Sequence, residues 1–210
     1  LLGLFFCLIY KLVMLKNMSL IKYNSILDIF LTYLIPETEL SVKKGNKIFG
    51  AFVIKKSDFK LTVTGTNNEI VNPLFHGEIS TIFNFFKLNN LNTKDYIFIS
   101  SHEPCSLCLS AITWSGFEYF YYFFPYQDTK TTFNIPHDLN ILKEVFFIKN
   151  GNYNKENRYW KSFSILDEIS KINIKNRGNL PKKIDKITKL YQNLSLEYQK
   201  SKISNNIPLK

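Results

Sequence analysis

The sequence predicts an α/β protein: a three-layer α/β/α sandwich around a mixed central sheet, with a helical C-terminal extension. Three observations predict it. Short apolar runs at Tyr96–Ser100 and Phe117–Phe124 read as buried strands. Segments of helical spacing alternate with them, one after Pro73 and one after Pro104, which implies parallel strands joined by crossovers. Ahead of these, Lys47–Ile54 and Leu61–Thr64 read as a hairpin, which makes the sheet mixed.

The elements follow in chain order. Leu1–Leu15 is apolar, broken by Lys11. It falls short of the roughly 20 residues of a bilayer span and shows no clear cleavage site. It is read as lying before the true start, at Met14 or Met18, with a weak anchor as the alternative. Ser25–Leu34 has helical spacing, with Ile26, Ile29, Phe30 and Tyr33 on one face. Pro36 interrupts it, Glu37–Lys44 continues it, and Gly45-Asn46 ends it. The hairpin follows, with small Gly50 and Ala51 in its first strand and the turn-rich Gly65–Asn68 after its second. Phe75–Phe86 is the next helix, and Pro104 opens another that ends near Gly116. Beyond Pro125, Asp138–Lys143 reads as helix, Val145–Ile148 as an edge strand and Gly151–Glu156 as a loop. Arg158–Ile172 reads as a helix with Trp160, Phe163, Leu166 and Ile169 on one face. In Ile184–Ile203 a stripe of Ile184, Ile187, Tyr191, Leu194 and Tyr198 predicts a docking helix. The expected organisation is an apolar segment over 1–17, a main domain over 18–150 and a basic helical extension over 151–210.

Composition bounds the function. The 210 residues, 45% of them hydrophobic, supply one domain with a real core. The formal charge is +10, of which +8 lies in residues 171–210. A basic tail attracts nucleic acid or anionic lipid. Only two of the 27 basic residues, Arg158 and Arg177, are arginines, the better residue for phosphate and base contacts. The abundance of Lys, Asn, Ile, Phe and Tyr also fits an A+T-rich coding sequence. RNA binding through the tail is therefore a secondary expectation, and no membrane partner is expected. Three cysteines, Cys7, Cys105 and Cys108, cannot build a disulfide framework. A C-x-x-C pair in a chain of this length points to metal or redox chemistry in a reducing, cytoplasmic compartment.

Two short segments carry the chemistry. Phe75-His76-Gly77-Glu78 follows Asn72-Pro73, and Pro104-Cys105-Ser106-Leu107-Cys108 follows a strand. A catalytic zinc takes three protein ligands and leaves a fourth position for water. His76, Cys105 and Cys108 supply that donor set. Cys105 and Cys108, three apart in a first helical turn, face one way, where the helix end favours thiolate. Glu78, two residues from His76, is a carboxylate placed to move protons. His102, three residues before Cys105, is a weaker candidate ligand. A redox C-x-x-C and half of a structural zinc site are the rival readings; the second lacks a further ligand pair.

The combination H-x-E and P-C-x-x-C resembles the cytidine/deoxycytidylate deaminase superfamily. The resemblance spans roughly Lys43 to Phe124. Lys44–Ala51 is similar to the family's K-x-x-x-P-F-G-A, with Ile48 where proline is usual. Gly65-Thr66-Asn67 resembles its G-x-N. His76–Thr81 looks like the fungal cytosine deaminase segment. Glu103–Cys108, with Ala111-Ile112 and Trp114, looks more like guanine and tRNA adenosine deaminases. The resemblance implies a five-stranded sheet, one Zn2+ per subunit, Glu78 as proton shuttle, Asn67 on the substrate and a homodimer. Phe75 departs from the small residue usual before this histidine, and is expected to narrow or stack against the base site. Having His76 rather than cysteine argues against the free-cytidine subgroup. The expected reaction is hydrolytic deamination of a nucleobase or nucleoside, releasing ammonia. The rivals are a tRNA adenosine deaminase using the basic tail, and a non-catalytic zinc-binding interaction subunit.

Overall fold

In the computed structural model, residues 18–210 are described. The segment over 1–17, with Cys7 and the Met14 start, lies outside them. The chain opens with helix α1 (Met18–Lys43), longer than the sequence predicts because Pro36 does not break it. Between Phe30 and Leu34 the helix widens into a π-turn, closed by the Ile35 N–H on the Phe30 carbonyl. The widening relieves the clash and missing donor that Pro36 brings. Thr38 Oγ1 donates to the Leu34 carbonyl at 2.7 Å. By length and composition α1 could cross a membrane, but Phe30 and Leu34 are fully buried in the core.

The sheet has the order β2-β1-β3-β4-β5. Its strands are β1 (Gly50–Lys55), β2 (Leu61–Thr66), β3 (Tyr96–His102), β4 (Tyr119–Phe124) and β5 (Lys161–Ser164). β1 pairs antiparallel with β2 and β3, while β3, β4 and β5 run parallel. The sheet is therefore mixed, as the hairpin and crossovers require. Alternation along β1 sends Phe52 and Ile54 to one face and Ala51 and Val53 to the other. The first face carries α1 and α7 (Leu180–Ser201), packed around Phe30, Phe123 and Tyr191. The second carries α2 (Gly77–Phe86) and α3 (Ser106–Ser115), packed around Phe85, Phe98, Ile112 and Phe117. Short helices α4 (Tyr126–Thr131), α5 (His137–Phe146) and α6 (Ile165–Ser170) complete the fold.

Three expectations fail here. Arg158–Ile172 is not one helix. Trp160 packs on Phe120 across one sheet face, while Phe163 stacks on Tyr121 across the other. That is strand alternation, and the helix begins only where Ser164 Oγ accepts from the Asp167 N–H. Val145–Ile148 is not a strand. Val145 and Phe146 end α5, and Phe147 leaves it with φ 57°. Pro104 is not the first residue of α3, since Cys105, extended at φ −63° and ψ 171°, is its N-cap. The C-terminal helix packs as its apolar stripe predicts: Ile187, Tyr191, Leu194 and Tyr198 are buried.

Candidate functional site

α2 follows β2 and α3 follows β3. These strands are not neighbours: both flank β1 and run antiparallel to it. Their carboxyl ends therefore meet at the sheet edge where β1 begins, and both helices start there. Gly50 and Gly77 permit the approach, because a Cβ on Gly77 would stand 2.6 Å from the Gly50 Cα. His76 is the N-cap of α2, Cys105 the N-cap of α3, and Cys108 lies in the first turn of α3.

The three side chains converge. Cys105 Sγ lies 3.4 Å from His76 Nδ1 and 3.5 Å from Cys108 Sγ. Cys108 Sγ lies 3.6 Å from His76 Nδ1. Tetrahedral zinc, with bonds of about 2.0–2.1 Å to nitrogen and about 2.3 Å to sulfur, spaces its ligand atoms by roughly 3.5–3.8 Å. The donor set and its spacing thus fit Zn2+. His102 is excluded from the cluster. It ends β3, 2% exposed, with Nδ1 2.9 Å from Ser101 Oγ and Phe49, Phe124, Phe133 and Tyr191 around its ring. Burial pushes its pKa down to about 3.

Glu78, in the first turn of α2, is 4% exposed. Ser100 Oγ donates to its Oε1 at 2.7 Å, and the Cys108 thiol donates to its Oε2 at 3.2 Å. Burial, then the charge at Cys105, raises its pKa, against the opposing pull of His76 and Ser100. The Sγ–Sγ contact with Cys108, aided by His76, holds the Cys105 thiol well below its usual range despite burial. Burial and the neighbouring Cys105 charge push Cys108 up. Burial works against a charged His76, but its bond to Cys105 and the charges of Cys105, Glu78 and Glu69 prevail, raising it to about 9.

A cavity of about 250 Å3 opens onto the cluster, lined by His76, Cys105, Lys47, Glu69, His137 and Asp138. Ile207, Pro208 and Leu209 form part of its wall, strapped down by the His137 Nε2–H on the Lys210 carbonyl at 2.8 Å. The larger groove, about 560 Å3 beside β2 and α2, lies away from the three ligands. Phe75 and Asn67 line that groove rather than the smaller cavity. Asn67 is 1% exposed, and its amide is spent on the protein. Its Nδ2 donates to Glu69 Oε2 at 2.8 Å, and its Oδ1 accepts from the Gly77 N–H at 2.5 Å. Sequence reasoning missed Lys47, Glu69, Asp138 and the strap. Nothing in spacing or periodicity marks residues that meet only through the fold.

Fold and site together define a deaminase-type α/β/α sandwich with a His/Cys/Cys metal cluster at its sheet edge. Residues 26–124 of the chain match the family model of the cytidine and deoxycytidylate deaminase zinc-binding region. Among solved structures it is similar to guanine deaminase from Nitrosomonas europaea, at 16% identity and TM-score 0.50, over 78% of this chain and 81% of that one. It is also similar to guanine deaminase from Bacillus subtilis, at 25% identity and TM-score 0.49, over 62% and 85%. A third is the dCMP deaminase of the cyanophage S-TIM5, at 17% identity and TM-score 0.37, over 65% and 97%. No curated protein matches the chain.

Proposed function

We propose that this chain is a zinc-dependent hydrolytic deaminase of a free nucleobase or nucleoside. The observation that carries this reading is Glu78: a buried carboxylate beside the His76/Cys105/Cys108 cluster and outside the ligand set. A purely structural zinc site has no use for it. Zinc held by the three side chains supplies the Lewis acidity that makes water a nucleophile near neutral pH. Glu78 accepts the water's proton and passes it to the substrate's leaving nitrogen, while Ser100 holds the carboxylate in place. The carbon–oxygen bond forms, the carbon–nitrogen bond breaks, and ammonia leaves. The small cavity, closed on one side by Ile207–Leu209, favours a single base over a polynucleotide.

A second reading rests on α7. Its outer face exposes Lys182, Lys186 and Lys189 in one stripe, which favours a tRNA adenosine substrate held by its backbone. One assay separates the two: ammonia release by zinc-loaded protein from cytosine, guanine, adenine, their nucleosides, dCMP and a tRNA anticodon hairpin. Release from a free base or nucleoside supports the first reading, and release from the hairpin alone supports the second. Silence across the panel with zinc bound leaves a non-catalytic zinc subunit.

A further inference from the structure

His76 turns its Nδ1 edge toward both thiols and its Nε2 edge toward Glu69, whose Oε1 lies 3.8 Å away. At that distance the contact is electrostatic, longer than a hydrogen bond. Glu69 is almost fully buried, and a lone carboxylate there would carry a heavy desolvation cost. Lys47 offsets it, with Nζ 2.6 Å from Glu69 Oε1 and both side chains at most 6% exposed. The Lys47 N–H lies 3.4 Å from Oε2, and Asn67 Nδ2 donates to the same oxygen at 2.8 Å. Asn67 in turn accepts from the Gly77 N–H, the residue after His76. One polar chain thus ties the entry of β1, the loop after β2 and the start of α2.

We propose that Glu69, neutralised by Lys47, is the positioning residue of His76: its carboxylate holds the ring proton on Nε2 and so leaves Nδ1 free as the metal ligand. A negative charge beside one ring nitrogen favours the proton there, and the other nitrogen keeps its lone pair. Carboxylates behind metal-binding histidines act in this way and raise the ligand's basicity. Asn67 anchors this chain, which accounts for its amide being committed to Glu69 and Gly77. The inference rests on His76, Cys105 and Cys108 being the ligand set.

The test compares wild type with two double variants, so that neither buried partner is left unpaired. Lys47→Met/Glu69→Leu removes the charge pair and the acceptor. Lys47→Met/Glu69→Gln removes the charges but keeps a polar side chain of the same shape beside the ring. Zinc affinity is read by competition with a chromophoric chelator, and folding by the thermal midpoint of the metal-free proteins. The leucine variant is expected to bind zinc about 10–100-fold more weakly at an unchanged metal-free midpoint. The glutamine variant, which also lacks the negative charge, should share most of that loss. Equal zinc affinity in all three proteins overturns the positioning role and leaves the proposed function standing. A wild type that binds no zinc overturns both. Should the leucine variant fail to fold, ring 15N spectra of the zinc-loaded wild type decide. A His76 proton on Nε2 is expected, and one on Nδ1 overturns the inference.

Discussion

Glu78 and Ser100 lie on α2 and β3, so the shuttle's aim depends on two elements meeting at one edge. Replacing Glu78 with Gln keeps the shape and the acceptor for Ser100 but removes the basic oxygen. Turnover is expected to fall by roughly 10²–10⁴-fold with zinc content unchanged, measured by ammonia release and metal analysis on the same sample. Retained turnover would remove Glu78 from the chemistry. His102 makes a different prediction. Its folded-state pKa is depressed from 6.5 to about 3 by burial among aromatic rings. Between those values the unfolded chain binds a proton that the folded chain refuses. Stability therefore falls as pH drops through that window, by up to about 1.4 kcal/mol per pH unit. Urea unfolding from pH 7 to pH 4 should show a shallower acid slope in His102→Gln than in wild type. Parallel slopes would mean that the ring titrates normally.

At the scale of elements, legibility divides along the physics of period. The hairpin, the two site helices and the stripe of α7 could be read because their apolar spacing repeats over several turns or strand residues. Trp160 and Phe163 misled because they are three residues apart, which suits a helix, yet they pack on opposite faces of the sheet, Trp160 just ahead of the four-residue edge strand and Phe163 within it. His76, Cys105, Cys108 and Glu78 could be read because their spacing encodes local geometry. Glu69 could not, since its partners Lys47 and His76 reach it only through β1 and the turn before α2. The packing of α7 also bears on how the tail is tested. Tyr191 is fully buried against Phe30, Phe124 and His102. Tyr191→Ala should cost about 3–5 kcal/mol, the range for a buried aromatic cut to alanine, read by denaturant titration. A loss under 1 kcal/mol would show that the helix is peripheral. Deleting residues 171–210 would remove this packing with the lysines, and so cannot isolate an RNA role.

Across the whole molecule the charge is divided: +8 of the net +10 belongs to residues 171–210. The lysines on the outer face of α7 are not among the residues lining the cavity. The apolar stripe of α7 faces the core, while Lys182, Lys186 and Lys189 face outward and exposed. Lys183 is engaged instead with Asp28 of α1 at 2.8 Å and with Asn24, so it belongs to the packing. Reversing the three outer lysines to glutamate changes the field by six charges without touching the core. If the substrate is a free, uncharged base, exposed charges outside the cavity lining are largely screened within about 10 Å at ordinary salt. The kcat/KM on that base should then stay within about twofold, since nothing at the cavity has changed. If the substrate is carried on RNA, the same variant should lose affinity steeply, and its binding should lose most of its salt dependence. Measuring both quantities on one triple variant therefore tests the free-base reading against the polynucleotide one without disturbing the fold that builds the site.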